Sequence, residues 1–245
     1  MAIGWNADGV PVGERLEVDG VAAVRKSKLN PVERARRLHV GERRRAQTRA
    51  RLVAAAYKVF ALHGAEVPTI DDIILEAGVA RGTFYNYFET RDELFRAVAD
   101  EIAVTINTRL DLARSGMTDP AERLSVSFRA FARYAVADPA RGWILLRTLP
   151  ILGGIGGDMT ENVGREFAVA VESGRFSAMS ATMALDLGIG FLIRIIYRLL
   201  VDRPGADHVD HAAAAMLVAF GLDVEEAKAI AFRPLPAEAV EERPA

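Results

Sequence analysis

The sequence predicts an all-α protein, with a small N-terminal three-helix domain followed by a larger helical one. Apolar residues recur at three- and four-residue spacing through most of the chain, glycine and proline fall where those segments end, and no stretch shows the alternation of a strand. The 245 residues are 51% hydrophobic, enough for one small and one larger core. The chain has no cysteine, which excludes disulfides, thiolate chemistry and Cys-based metal sites.

Residues 1–41 read as a basic N-terminal extension. The net charge is only −2, yet residues 25–51 carry eleven basic side chains, from Arg25 to Arg51, against Glu33 and Glu42. That local balance of +9 leaves −11 for the rest, an asymmetry that puts phosphate-seeking charge at one end. Two readings of the extension stand: a basic arm along the DNA backbone or in the minor groove, or a solvated segment. Pro31 to Leu38 suits a short helix with Val32, Ala35 and Leu38 on one side. Met1 to Gly20 lacks a basic stretch followed by an apolar run, so no signal peptide is read.

Arg44 to His63 then reads as a helix with Leu52, Val53, Ala56 and Phe60 on its inner face, closed by Gly64. The next helix begins at Thr69, a good N-cap, with Asp71 and Asp72 at the positive end of its dipole and Ile70, Ile73, Ile74 and Ala77 inward. Gly78 ends it in the C′ position and lets the chain turn sharply.

A short third helix is expected over Ala80 to Phe88. At about 100° per residue Phe84 and Phe88 define the buried side, while Gly82, Thr83 and Asn86 fall opposite, flanked by Tyr85 and Tyr87, with Arg81 at the rim. Small, hydroxyl and amide groups between two tyrosines allow close approach to a groove and hydrogen bonds to phosphates and base edges. A solvated helix would favour Lys and Glu there. Three helices, the last two joined by a tight glycine turn, make a helix-turn-helix.

Thr69 to Phe95 (TIDDIILEAGVARGTFYNYFETRDELF) resembles the signature of the TetR/AcrR family of bacterial transcriptional regulators, whose core runs G-V-[ST]-x-G-[TS]-[LIF]-Y-x-[HY]-F. Gly78, Val79, Gly82, Thr83, Phe84, Tyr85, Tyr87 and Phe88 match it. Ala80 departs from it, standing where the family has Ser or Thr, which removes a side-chain cap worth about 1 kcal/mol and one phosphate contact. The resemblance implies that Thr69, Thr83, Tyr87 and Arg91 contact phosphate, that Tyr85 reaches bases or backbone, and that Arg81 and Gly82 occupy positions that select sequence; Asn86 is a candidate from its place on the outer side. Arg44 and Arg45 join them as candidates from the basic run.

The rest of the chain reads as helical. Leu94, Phe95, Val98, Ile102 and Ile106 mark a long helix, with segments over 120–137, 139–150, 158–174, 178–201 and 207–220 after it, and a glycine run at 153–157 that lacks the strand and Lys-Ser/Thr of a phosphate loop. Boundaries are expected at 42–106 for the DNA-binding domain, 107–232 for an effector-binding and dimerisation domain, and 233–245 for a tail. Ala178 to Val201 is apolar nearly all round, but Asp186, Arg194 and Arg198 argue against a membrane span.

Read by the resemblance, that helix and His211 to Phe220 form a dimer interface through Ile189, Ile193, Ile196, Tyr197, Leu200, Ala214 and Leu217; simple core packing within one subunit is the alternative. The family also implies a largely apolar effector pocket, for which Trp143, Leu146, Arg147, Phe167, Val171, Met183 and Asp186 are candidates. His208 and His211 beside Asp207 and Asp210 read as a solvated helix start rather than a metal site, and no cofactor is expected.

The expected protein is therefore a cytoplasmic, homodimeric regulator of double-stranded DNA, a repressor released from a pseudo-palindromic operator by a small molecule. An activator, a regulator that answers to a partner protein, and a helical enzyme fused to a DNA-binding module are the alternatives. Against an enzyme, the chain offers no nucleophile and base pair, carboxylate dyad or cofactor loop.

Overall fold

The structure, a computed structural model, describes residues 31–63, 68–152 and 157–239. The expectations placed on residues 1–30, Gly64, the glycines from 153 to 156 and residues 240–245 lie outside that set. All regular elements among the described residues are helical. The chain divides into two compact units, residues 1–45 and 46–245.

The described part of the first unit is helical. It belongs to α1 (Pro31–His63), a single 33-residue helix where the sequence suggests two. Gly41 does not interrupt it: the space where its side chain would stand is open, and an exposed mid-helix glycine costs only about 1 kcal/mol.

In the second unit α1 is followed by α2 (Ile70–Ala77), α3 (Arg81–Tyr85) and α4 (Arg91–Ala113). Leu52, Ala56 and Phe60 of α1, Ile73 of α2, Phe84, Phe88 and the head of α4 form one core, with Phe60 and Phe95 edge to face at 5.2 Å. That core continues along α4 through Ile102, Ile106 and Leu110 into α5 (Pro120–Ala137) and α6 (Pro139–Leu152). Asp119 caps α5 ahead of its N1 proline, and Asp138 starts α6 by accepting from Ala140 N at 2.9 Å.

A second core gathers around α9 (His208–Ala219), flanked by α7 (Gly157–Glu172), α8 (Ala181–Val201) and α10 (Val224–Ala231). Phe167, Phe176 and Phe220 meet there, the last two with centroids 4.8 Å apart. The short α10, capped by Asp223, has no counterpart in the sequence reading; it buries Ala227 and Ile230 against α9. A 3-10 turn (Ala237–Ala239) returns the chain to α4.

Polar ties cross these layers. Arg129 on α5 is buried and donates to Asp210 on α9 at 2.5 Å and to the Arg233 carbonyl at 2.7 Å. Burial pulls its guanidinium below the usual value while Asp210 pushes it back up. Arg133 completes the cluster on Asp210 at 2.7 and 2.9 Å. Asp210 is thus committed to arginines, while His211 lies 3.4 Å from Asp207 on the surface.

Candidate nucleic-acid interface and internal cavity

Local chemistry sets the reading surface. The Thr69 hydroxyl accepts from Asp72 N at 3.2 Å and the Asp72 carboxylate accepts from Thr69 N at 2.8 Å, a capping box that fixes the start of α2. Gly78 ends α2 in the left-handed region, φ 61°, where a side chain would be strained. Arg51 of α1 braces that turn by donating to the carbonyls of Ala77 and Gly78. The sequence offers Arg51 only as part of the basic run; its turn-bracing role depends on how α1 crosses α2.

Ala80 caps α3 with no side-chain hydrogen bond, as its methyl requires. The regular helix is shorter than the Ala80–Phe88 expectation, ending at Tyr85, but Phe88 N still bonds the Phe84 carbonyl at 3.0 Å. Phe84 and Phe88 are therefore both buried, and Arg49 lies over the Phe88 ring at 5.4 Å. Arg81, Gly82, Tyr85 and Asn86 are exposed and Thr83 and Tyr87 half-buried, with open space around the Gly82 Cα.

The structure brings Thr69, Arg81 and Arg91 together around one open recess with Asp71, Thr90 and Asp92. Arg81 donates to Asp71 at 2.7 Å, and the Tyr85 hydroxyl, then Asp71, favour its charged form. Arg91 reaches the Pro68 carbonyl at 3.5 Å and sits 5.9 Å from the Phe95 ring centroid. Its Nε is buried with no hydrogen-bond partner among the described residues. The recess has cations held by few and replaceable bonds, which is what a phosphate needs. Arg44 and Arg45 are exposed on α1 in the first unit.

Polar contact also ties α1 to the α5–α6 corner. The Tyr57 hydroxyl on α1 donates to Asp138 at the α5–α6 corner. Burial, then the bond to Asp138, push this phenol well above its usual range, so it stays a donor. Arg141 supports the corner by donating to the Tyr134 carbonyl at 2.7 Å while lying over the Tyr134 ring.

Between α4, α5, α7 and α8 lies a largely apolar cavity of about 110 Å³, lined by Leu110, Phe128, Phe131, Val163, Phe167 and Ile189 among others. Its polar end holds Arg114 and Glu166, 2.9 Å apart, with Ser127 and Asn107. Gly188 makes room for the Phe167 ring: a Cβ there would stand 2.9 Å from its edge.

Of the seven residues expected to line an effector pocket, Phe167 lines this cavity and the other six lie elsewhere. Val171 packs in the second core, while Met183 and Asp186 are exposed on α8. Trp143, Leu146 and Arg147 instead line an open groove on α6 and α8 with Gly190, Ile193, Arg194 and Tyr197; the Trp143 and Tyr197 rings are edge to face at 6.2 Å. The cause is rotational: α6 turns Ile144, Leu145 and Leu149 inward and leaves these three outside.

The expected interface set divides as well. Ile193 and Tyr197 lie on that open groove. Ile196, Ala214 and Leu217 are buried within the protomer, because α8 and α9 pack on α5, α6 and α10, so they have no surface left for a partner. Ile189 lines the cavity, and Leu200 packs against Gly142.

Comparison with known proteins agrees with this arrangement. Residues 52–98 match the model of bacterial regulatory proteins of the tetR family, and residues 119–233 match that of the tetracyclin repressor-like C-terminal domain. The crystal structure of RolR in complex with the ligand resorcinol is 32% identical, covers 80% of this chain and 98% of its own, and superposes with a TM-score of 0.62. RolR without ligand gives 30% identity, 77% and 99% coverage, and a TM-score of 0.60. An uncharacterized HTH-type transcriptional regulator of Mycobacterium tuberculosis (strain ATCC 25618 / H37Rv) is 25% identical over 166 residues, 66% of this chain and 79% of its own length.

Proposed function

From the premise that this chain belongs to the tetR family of bacterial regulatory proteins, we propose that it is a cytoplasmic repressor that binds a pseudo-palindromic operator as a homodimer and leaves it when a small molecule enters the cavity. One observation carries this reading. α4 belongs to both sites: Arg91 at its head borders the reading recess, and Asn107, Leu110 and Arg114 near its tail line the cavity. A ligand that shifts the tail of α4 must also shift the head or strain the shared core.

Two recognition helices on a two-fold axis meet successive major grooves about 34–36 Å apart. The effector needs only to prefer a protomer geometry in which that spacing is wrong, by several kcal/mol for complete release. Residues 42–106 serve as the reader and 107–232 as the sensor. The exposed groove of Trp143, Gly190, Ile193 and Tyr197, continued along α8 by Met183 and Val201, supplies apolar surface for a second copy.

RolR is solved with resorcinol, a single aromatic ring, and ring compounds are the class to test first. Size narrows the choice: at about 110 Å³ the cavity is smaller than the roughly 150 Å³ apolar cavity that holds benzene, which points to the smallest single rings. Fluorescence anisotropy with labelled DNA from upstream of the protein's own gene tests the proposal. Two protomers per inverted repeat, and release on adding resorcinol or a related ring compound, are expected. Binding no tighter than to random DNA, or an operator complex indifferent to a compound shown to bind the protein, would overturn it.

A further inference from the structure

The charges at the polar end of the cavity define what it accepts. Arg114 is almost wholly buried and each of its nitrogens is engaged: Nε with the Leu110 carbonyl at 3.0 Å, Nη1 with Ser127 at 3.2 Å and Glu166 at 2.9 and 3.0 Å, Nη2 with Asp111 at 2.6 Å. Arg123 adds a bond to Glu166 Oε1 at 2.5 Å. Two guanidinium groups thus face two carboxylates, Asp111 and Glu166, and the cluster is neutral before any ligand arrives. A carboxylate entering would be a buried charge without a cation left for it, an expensive arrangement.

Glu166 retains capacity of the opposite kind. A carboxylate accepts at about four lone-pair positions. Its Oε1 receives Arg114 and Arg123, whereas Oε2 receives Arg114 alone. Resting on the reading of this cavity as the effector site, we propose that it selects an uncharged ring compound whose hydroxyl donates to Glu166 and discriminates against rings that carry a carboxylate. The hydroxyl meets a carboxylate acceptor, and such charge-assisted bonds are short and strong. The ring fills the space between Phe128, Phe131, Val163 and Phe167.

Calorimetric titration of the full-length protein with phenol, catechol, toluene and benzoate tests this. Phenol and catechol are expected to bind at least about tenfold more tightly than toluene, which has no donor, and than benzoate, which brings a charge. Glu166→Gln removes one negative charge, leaves the arginines in excess, and is expected to move preference toward benzoate. The wild-type ranking stands even if that variant fails to fold. Benzoate binding wild type as tightly as phenol, phenol no better than toluene, or the same ranking in Glu166→Gln would overturn the inference. Failure of all four compounds in a protein that still binds its operator would overturn it too, while leaving DNA reading intact. Loss of operator recognition by the wild type would instead overturn the underlying reading.

Discussion

Arg81 and Arg91 at the reading recess each rest on bonds that a phosphate can replace, whereas Arg114, Arg129 and Arg175 in the larger domain sit in carboxylate clusters. Arg81 has an exposed carboxylate and the Tyr85 hydroxyl, and Arg91 has one long bond to a carbonyl, the exposed Asp92 carboxylate at 3.9 Å and an aromatic face. Arg175 grips Asp119 with two nitrogens at 2.8 and 2.9 Å and reaches Glu226 at 2.8 Å, which holds its guanidinium more firmly charged than usual. The same side chain therefore does two jobs, set by its partners. Loosely tied, it is available for exchange; gripped by carboxylates at short range, it fixes helix positions.

Substitutions can break this contrast. The largest effect is expected from Asp210→Ala, which leaves Arg129 buried without its carboxylate; chemical denaturation should show a loss of about 3–5 kcal/mol. Tyr57→Phe removes the donor to Asp138, and a loss of about 1–2 kcal/mol is expected in the same assay. It should also reduce the factor by which a bound ring compound weakens operator binding, because the contact joins reader to sensor. Ala80→Ser works in the other direction: it supplies the missing cap of α3, raising stability by about 0.5–1 kcal/mol and tightening operator binding in anisotropy titrations. Arg81→Ala should leave the melting temperature unchanged, since its ion pair is exposed, while lowering the slope of log affinity against log salt by about one.

Legibility in the sequence followed the distance over which each feature is determined. The Thr69 cap, the left-handed Gly78 and the bare Ala80 each depend on residues within a single turn, and all three stand where the sequence puts them. Phe84 and Phe88 were readable as buried for the same reason, even though the regular helix stops at Tyr85. The cavity is different. Six helices contribute to it, and which way Trp143 or Met183 points depends on the rotation of α6 and α8, which no local pattern fixes. Ala214 and Leu217 belong to a partner interface only by the resemblance; their burial comes from the packing of α9 on α5 and α10, and α10 has no counterpart in the sequence reading. Glu166 and Arg114 stand 52 positions apart in the chain, so their pairing at the cavity had no sequence signal at all.

In the proposed function α3 is the element that reads DNA. Footprinting on the region upstream of the protein's own gene, comparing wild type with the Thr83→Ala/Tyr85→Ala double variant, tests that most directly. Thr83 is half-buried and Tyr85 exposed, so the fold should survive, and circular dichroism should show unchanged helicity. A protected inverted repeat is expected for the wild type, and its disappearance in the folded double variant. Undiminished protection by that variant would contradict it.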